Sequence, residues 1–403
     1  TITNKQGLCS SHAAFLKKKG CMAFCTFLLL LFVAYVKKYA YSIEKNVIKK
    51  GRKYLIKIGL LHHEKDPRKV KKAYAFAAVA MAEGAELIYF TLRGVDMERR
   101  RIRGYIYKDG HWRDIISDFP DVIYNTGSPQ KFARRRRTYA RLKQQIPFTT
   151  SALGNKMSVY NRLLSSNDFR SYLIPSEPLQ SFQQLNSYLQ QYEKLIVKPI
   201  NGHRGIGVIY IEKENNHYKL LRDGNKQNMN TEQLGEFILA QLQKTKMMVQ
   251  PYINCRTQAG QVFDFRLHVQ KEGRGEWVIT AIYPRIGAPA NIVSNIHMGG
   301  STNYLESFLQ QEFSDQAEAI KLFLEDFALR LARYLDILQY QLFQEKLDEI
   351  GIDIGRDDHG KYWLFEVNWR PGIPPNFDLE LDVARNTIHY AMYLARTTKS
   401  VVN

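Results

Sequence analysis

The chain has 403 residues, of which 45% are hydrophobic and 24% charged, and its formal net charge is +19 at pH 7. This length and composition predict a globular protein of two or three domains with a substantial core. Its four cysteines form neither a disulfide framework nor a zinc-binding spacing, which argues against a disulfide-stapled secreted domain and favours a reducing compartment.

Residues 1–50 differ from the rest of the chain and form a basic, hydrophobic N-terminal extension. Residues 1–57 carry twelve Lys and Arg against one Glu, which is more than half of the net charge. An apolar run, 21–36, lies between lysines, but it is shorter than the roughly 20 residues that span a bilayer, and no small-residue cleavage site follows it. Three interpretations remain: a short membrane anchor, an uncleaved export signal, or an extension foreign to the natural mature protein. The third is favoured.

Helix-like and strand-like patterns intermingle over the remaining chain, which predicts an α/β or α+β protein. We find no internal repeat. Apolar residues at helical spacing predict helices at the following positions: Arg68–Glu83, Asn155–Leu164, Thr231–Lys244, Gln316–Gln344 and Leu379–Thr397.

A basic helical stretch, QKFARRRRTYARLKQQ, contains the run Arg134–Arg137. Such a run is most often a solvated face of a helix. It can also bind a polyanion, such as nucleic acid or an acidic polymer, or a lipid surface.

A glycine-rich loop lies between two apolar strands in residues 195–211. The first strand leads into Lys198, and the loop after it contains Gly202, Gly205 and Gly207. Glycines let backbone N–H groups approach phosphate oxygens, and a lysine adds a point charge. Because a strand rather than a helix follows, the loop is neither a Walker A motif nor a dinucleotide fingerprint. An ordinary flexible turn remains the alternative.

Two further strands fit the same site. The strand 247–250 ends in Gln250-Pro251-Tyr252, which can present backbone groups to an adenine edge, although Pro251 alone explains a strand end. The strand 263–270 alternates so that Arg266 shares a face with Asp264 and His268 and can reach the cleft. An isolated arginine on a strand is more often a solvated cation.

Near the carboxyl end, two strand patterns flank the turn signal DDHG within residues 351–372. If the turn pairs Arg356 with Lys361, Asp353 lies opposite Leu364. Side chains two residues apart share a face of the sheet.

This alternation puts Leu364, Glu366 and Asn368 on the same side as Asp353, so that Asp353 and Glu366 form a diagonal pair. The opposite, apolar side is predicted to carry Ile352, Ile354, Phe365 and Val367. Two carboxylates and an amide suit a hard cation such as Mg²⁺. The alternative is a solvent-facing polar strand.

In this order, the segments KPINGHRGIGV, VQPYI, DFRLHV, RIGAPANIVSNIHMGGS and GIDIGRDDHGKYWLFEVNWRPG resemble those of ATP-grasp proteins. The layout is similar to that of the ribosomal-protein glutamate ligases. It resembles still more closely the endospore coat-associated YheC/YheD family of ATP-grasp proteins. The resemblance covers residues 52–397, and NIHMGG and the WLFEVNWRPG hairpin are its most specific parts.

The resemblance implies an ATP-grasp fold with ATP held between two antiparallel sheets. An N-terminal pre-ATP-grasp α/β domain would occupy 51–150, a small lid subdomain 151–250, and a central antiparallel-sheet domain with the magnesium site 251–403.

It also implies roles for individual residues. The metal ligands would be Asp353, Glu366 and Asn368, holding one or two Mg²⁺ ions, with Mn²⁺ as an alternative. The ATP contacts would be Lys156, Lys198, Gly205, Gly207, Gln250, Tyr252 and Asn295. Arg266 and Arg285 would be catalytic, at the end where the γ-phosphate meets the acceptor.

The function implied is an ATP- and Mg²⁺-dependent carboxylate–amine ligase that acts through an acyl phosphate, in the cytoplasm and in association with the endospore coat. Its partners would be ATP, an unknown carboxylate and amine acceptor, and candidate coat proteins. The alternative is a coat-associated ATP-binding module without ligation. A basic nucleic-acid-binding protein is the third reading and predicts steeply salt-dependent association centred on Arg134–Arg137. Membrane contact is expected only if 21–36 is an anchor.

Overall fold

A computed structural model of the chain describes residues 55–127, 129–202, 205–215, 217–288, 294, 299–371 and 379–400. The N-terminal extension, with its apolar run, lies outside these ranges. Within them, no helix has both the length and the apolar character that a membrane crossing requires. The described residues divide into two compact units, 55–123 with 127–146 and 124–126 with 147–400.

The first unit is built around a mixed sheet and one packed helix. Its elements are β1 (Ile56–Leu61), α1 (Lys71–Ala82), β2 (Ala85–Asp96), β3 (Arg101–Lys108), β4 (His111–Asp118), β5 (Val122–Asn125), a 3₁₀ segment at Pro129–Arg135 and α2 (Arg136–Gln145). Neighbouring strands follow the order β4-β3-β2-β1-β5.

β1 and β2 run parallel, and α1 connects them. The buried face of α1 consists mostly of alanines, with Ala73, Ala77 and Ala80 beside Phe76. β2, β3 and β4 form an antiparallel meander. Its β3–β4 turn is Asp109-Gly110, with φ of 52° and 85°. Asp-Gly favours this two-residue turn because both positions need positive φ.

The second unit contains two antiparallel sheets, which we call the first sheet and the second sheet. After a short strand β6 (Phe148–Thr149) and α3 (Lys156–Leu164), the first sheet uses β7 (Glu177–Leu179), α4 (Phe182–Tyr192), β8 (Lys194–Pro199), β9 (Ile209–Glu214), β10 (His217–Arg222), β11 (Asn225–Met229), α5 (Thr231–Lys244) and β12 (Met247–Pro251). Its strand order is β11-β10-β9-β8-β12-β7. α4 and α5 pack on one face, where Leu185, Leu189 and Ile238 join the strand side chains Val197 and Val249 in one core.

The second sheet carries the candidate site. Its elements are β13 (Phe263–Lys271), β14 (Trp277–Ile286), β15 (Ser301–Thr302), α6 (Leu305–Phe313), α7 (Ala317–Phe343), β16 (Glu349–Arg356), β17 (Tyr362–Trp369) and α8 (Leu379–Ser400), with the strand order β15-β14-β13-β16-β17. Phe265 and Leu267 of β13 and Ile352 of β16 pack with Phe327 and Leu331 of α7 in its core. The alternate residues of these strands face the other way.

The predicted mixed α/β class and the helix positions are confirmed. α5 has the predicted bounds, and the other four helices differ from prediction by a few residues at their ends. α1 begins later than predicted because Pro67–Lys69 forms a separate 3₁₀ turn capped by the Asp66 side chain.

The predicted pairing of the β16–β17 hairpin is wrong, because Arg356 pairs with Tyr362 rather than with Lys361. Gly360 has φ of 80° and ends the three-residue loop 358–360, which joins Asp357 to Lys361. The N–H of Asp357 donates to the Lys361 carbonyl at 2.9 Å. A glycine in this conformation is the signature of the three-residue hairpin loop.

A β-bulge adds a second offset. Asp353 lies opposite Glu366 and Ile354 opposite Leu364, so Phe365 has no partner on β16. Leu364 therefore turns into the hydrophobic core instead of sharing the face of Asp353, as predicted. Phe365, predicted on the apolar side, lines the cleft while also packing against that core. The extra residue in a bulge reverses the alternation on one strand.

Candidate functional site

A row of polar side chains crosses four strands on the open face of the second sheet. In register across β14, β13, β16 and β17 stand Tyr283, Arg266, Asp353 and Glu366. Direct neighbours on a sheet bring side chains within contact distance. The Nε of Arg266 donates to Oδ1 of Asp353 at 2.5 Å, and its Nη2 donates to Oδ2 at 3.2 Å.

A second arginine joins this row from β14. The guanidinium of Arg285 donates to both carboxylate oxygens of Asp264, at 2.7 and 2.5 Å, and its Nη2 lies 2.9 Å from Oδ2 of Asp353. Burial opposes ionisation of Asp353, but Arg266 and Arg285 outweigh it and hold the pKa of this carboxyl below its usual value. Burial likewise opposes the charge of Arg285, yet Asp264 and Asp353 raise its pKa above the usual value. Asp353 and Arg285 are therefore held in their charged forms.

Two lysines approach from the first sheet and from α3. Lys156 is the first residue of α3, and its Nζ lies 3.2 Å from Oε1 of Glu366 and donates to the Gly202 carbonyl at 2.5 Å. Lys198, at the end of β8, lines the same cleft. Burial, with help from the charge of Lys156, lowers the pKa of Lys198 to about 8, although Glu366 opposes the shift.

The cleft continues along β12, where the adenine contacts were predicted. Gln250 is buried and accepts from the Ser176 hydroxyl at 3.5 Å, and Tyr252 packs edge-on against Tyr210 with ring centroids 5.0 Å apart. Both line the cleft. The cleft thus has an ionic end and a mixed aromatic and amide end.

The cleft is lined by residues of both sheets. They are Lys156, Ile196, Lys198, Pro199, Gly202, Gly205, Ile206, Val208, Gln250, Tyr252, Ile253, Cys255, Val262, Phe263, Asp264, Arg285, Ser294, Asp353, Phe365 and Glu366. Burial raises the pKa of the Cys255 thiol, which leaves it a small apolar wall residue rather than a nucleophile.

The residues of the hairpin fit a hard divalent cation. Asp353 and Glu366 face each other, and the Asn368 amide lies within 3.5 Å of Oδ2 of Asp353. A carboxylate offers about four lone-pair positions, and Arg266, Arg285 and the Asn368 amide nitrogen already occupy those of Asp353, so a metal bound there would replace one of these donors. Among the described residues, no three His, Cys, Asp or Glu side chains form a metal-binding group. A metal ion bound here would therefore need Asn368 or oxygen atoms of a bound ligand to complete its coordination.

Most of the predicted site residues lie together. Lys156, Lys198, Gly205, Gln250, Tyr252, Arg285, Asp353 and Glu366 line the cleft, and Arg266 and Asn368 contact Asp353. Gly205 and Gly207 both have φ of 74°, which a side chain would disfavour, but Gly207 is not among the lining residues. Asn295 lies outside the described residues.

Two residues of the site were not predicted. Asp264 was placed on the face of Arg266 without a role, and the structure has it holding Arg285. The alternation in FDFRLHV already contained that signal. Gly351 was not considered, yet a Cβ on it would lie 2.5 Å from Cβ of Pro371 and 3.3 Å from Cδ of Arg266. Because Gly351 has no side chain, the Arg266 side chain can lie directly against its backbone. No sequence pattern indicates that this position requires glycine.

We expect Gly351→Ala to displace Arg266 or Pro371 and to destabilise the second unit by about 1–3 kcal/mol, as overpacking does. Thermal unfolding of both proteins would measure this loss. Gly235→Ala is the matched control, because its Cβ would meet Phe182 only at 3.6 Å. Equal behaviour of the two variants would contradict the packing argument.

The two sheets that enclose this ionic cleft form an ATP-grasp fold. D-alanyl-alanine synthetase A from Vibrio cholerae O1 biovar eltor str. N16961 shares the fold, with a TM-score of 0.51 and 14% sequence identity over 87% of this chain and 100% of that one. The family model described as YheC/D like ATP-grasp matches residues 145–394. The chain therefore belongs to the YheC/D-like ATP-grasp family.

Two relatives from Bacillus subtilis (strain 168) agree with this assignment. Endospore coat-associated protein YheD is 26% identical over 330 residues, which cover 77% of this chain and 71% of the relative. Endospore coat-associated protein YheC is 22% identical over 304 residues, covering 72% of this chain and 81% of the relative.

Proposed function

We propose that the chain is an ATP- and Mg²⁺-dependent carboxylate–amine ligase that acts through an acyl phosphate. The observation that carries the proposal is the fixed ionic row, in which Arg266 and Arg285 bracket Asp353 beside Glu366. Phosphoryl transfer needs little covalent chemistry from the protein and depends on positioned charges around the transferred group. The row is preorganised for that task.

The cleft also suits a polyanionic nucleotide by its charge. Lys156, Lys198 and Arg285 line the cleft together with the three carboxylates Asp264, Asp353 and Glu366, and Arg266, which contacts Asp353 without lining the cleft, brings the site to one net positive charge. A cationic cleft with low-dielectric walls attracts and holds phosphate oxygens. We assign ATP to it, with adenine at Gln250 and Tyr252 and the phosphates at the lysines and the glycine loop.

The division of labour follows from the contacts. Lys156 and Lys198 hold phosphate oxygens, and the Gly205 backbone lets the loop approach them. Asp353, Glu366 and Asn368 would hold Mg²⁺, which when bound supplies positive charge at phosphate oxygens. Arg266 and Arg285 orient the γ-phosphoryl end, and Asp264 keeps Arg285 in place.

The reaction proposed has two balanced steps. A substrate carboxylate oxygen attacks the γ-phosphorus, and the bond to the β-phosphate oxygen breaks, which releases ADP and forms an acyl phosphate. An amine nitrogen then attacks the acyl carbon and loses a proton, and inorganic phosphate leaves. The two arginines stabilise the charge of the transferred group in the first step and of the departing phosphate in the second.

Glu366→Gln tests the site with little risk to the fold, because this side chain is 26% exposed. We expect Mg²⁺-dependent ADP release to fall by at least about 100-fold, since a positioned charge at the reacting end is lost. Thermal unfolding should change little. Persistent turnover in this variant would defeat the assignment of the hairpin as the metal site.

An ATP-binding coat module without ligation is the alternative, favoured by the engagement of both Asp353 oxygens by guanidinium groups. Calorimetric titration with MgATP, combined with ADP and phosphate release across a panel of carboxylates and amines, separates the two functions. Tight binding without release for any acceptor would favour the module. Association with the endospore coat and its proteins is proposed from the names of the two relatives, and a fluorescent fusion followed through sporulation would test it.

A further inference from the structure

A cavity of about 1150 Å³ lies in the first unit, at the carboxyl end of its parallel strands. His62 follows β1 directly, and Arg93 lies on β2 beyond Phe90, the residue that pairs with Leu61 at the end of β1. In open α/β sheets, ligands bind in the crevice outside the carboxyl ends of parallel strands. The position alone makes this cavity a candidate binding site.

The cavity is strongly cationic. Arg93 and the four consecutive arginines of Arg134–Arg137 line it, and none of its described lining residues is acidic. All five arginines are exposed. Over the described ranges, no carboxylate lies within ion-pair distance of any residue of Arg134–Arg137, whereas Arg99, Arg101, Arg103 and Arg113 of the same unit all have aspartate partners.

The backbone adds to this charge. α2 begins at Arg136, its N-cap residue Arg135 makes no side-chain capping bond, and its first turn has no acidic residue. Basic residues at a helix N-terminus oppose the helix dipole, and four adjacent like charges repel each other. The arrangement therefore costs local stability, which an anion in the groove would restore. Such local conflicts are typical of functional sites.

We propose that this groove, lined by Arg93 and Arg134–Arg137, binds a carboxylate-rich peptide segment. Guanidinium groups form two parallel hydrogen bonds to one carboxylate, so several arginines recognise several acidic side chains. The choice of carboxylates over phosphates rests on the proposed ligase function, whose substrate carries a carboxylate. Single-stranded nucleic acid fits less well, because Phe132 is the one Phe, Tyr or Trp among the described lining residues and is only 6% exposed, which gives bases little of the surface on which they stack best.

Fluorescence anisotropy of the full chain with fluorescein-labelled hexaglutamate, without ATP, tests the proposal. Hexaglutamate should bind and hexaglutamine should not. The variant R134Q/R135Q/R136Q/R137Q should weaken binding at least about tenfold, the equivalent of roughly 1.4 kcal/mol. Arg93→Gln, a single exposed change on β2, should weaken it in the same direction. The control R99Q/R101Q/R103Q/R113Q removes the same charge outside the groove and should change affinity less than about twofold, since exposed ion pairs contribute little.

Three results would overturn the proposal. They are equal binding of hexaglutamate and hexaglutamine, equal losses in the groove variant and its control, and tighter binding of tripolyphosphate or a single-stranded oligonucleotide than of hexaglutamate. The assay is independent of the ligase proposal because it contains no ATP and measures no turnover. Hexaglutamate binding by a chain that turns over no ATP with any acceptor would defeat the ligase proposal alone.

Discussion

Asp353→Asn should both abolish ATP turnover and destabilise the second unit, the largest combined effect expected for any single change in the cleft. Asp353 is buried and neutralises two guanidinium groups, those of Arg266 and Arg285. Removing one partner of a buried ion pair costs about 3–5 kcal/mol, and here the Arg266 charge would stay buried without its partner, whereas Arg285 would keep Asp264. For a unit of this size that loss corresponds to a fall in Tm of roughly 6–20 °C.

Differential scanning calorimetry and an ADP-release assay, run on the same preparations, measure the two parts of this result. Asp358→Asn is the matched control, because Asp358 is 65% exposed in the hairpin turn, where its one ion pair within the described part of the chain is with His359, at 3.8 Å. It should leave both quantities unchanged. A fully stable Asp353→Asn protein would show that Asp264 alone suffices to neutralise the two arginines.

Lys198→Met should weaken MgATP binding at least about 30-fold, since removing a charged partner from a buried pair costs 2 kcal/mol or more. The methionine keeps the apolar stem of the lysine and removes only its charge. Isothermal titration calorimetry with MgATP gives the affinity. An unchanged dissociation constant would remove Lys198 from the nucleotide site.

The same lysine makes MgATP binding depend on pH. With its pKa lowered to about 8 from 10.5, Lys198 is largely neutral in the folded chain above pH 8 but still protonated in the unfolded chain. The folded state then binds fewer protons, so the free energy of unfolding should rise with pH between about 8 and 10.5. Bound phosphates favour the charged amine, so ATP binding should take up a proton and should weaken above pH 8.

Calorimetric titrations at pH 8.5 in buffers of different ionisation enthalpy measure that proton uptake. Uptake should be about three-quarters of a proton per ATP in the native chain, since a lysine with a pKa of about 8 is deprotonated to that extent at pH 8.5, and it should disappear in Lys198→Met. Proton uptake of equal size in both proteins would assign the titration to another group.

The sequence predicted the mixed α/β class and the helices because their signals are local and agree with one another. Thr231–Lys244 has a capping box at its start, in which Asn230 and Gln233 exchange hydrogen bonds, and its predicted bounds match those of α5. From Phe263 to Gln270, β13 alternates apolar and polar residues, so its two faces could be assigned before its neighbours were known.

The ionic network could not be predicted in the same way, because it depends on which strands are neighbours. Arg285 and Asp264 lie on the consecutive strands β14 and β13, whereas Arg266 and Asp353 are 87 positions apart and meet only because β13 also pairs with β16. The shared face of Asp353, Glu366 and Asn368 was predicted from an incorrect pairing. The loop is one residue shorter than predicted, and the bulge adds one residue to β17, so each shifts the register by one. Together the two shifts return Glu366 and Asn368 to the face of the sheet that carries Asp353.

That compensation limits how the chain can vary in length at this hairpin. If the loop at Gly360 gained or lost one residue while the bulge at Phe365 stayed, Glu366 would rotate away from Asp353 and Leu364 would leave the hydrocarbon interior. Insertions and deletions in this ribbon are thus tolerated only as matched pairs. Among related proteins, an altered loop should be accompanied by the gain or loss of a bulge on the same strand.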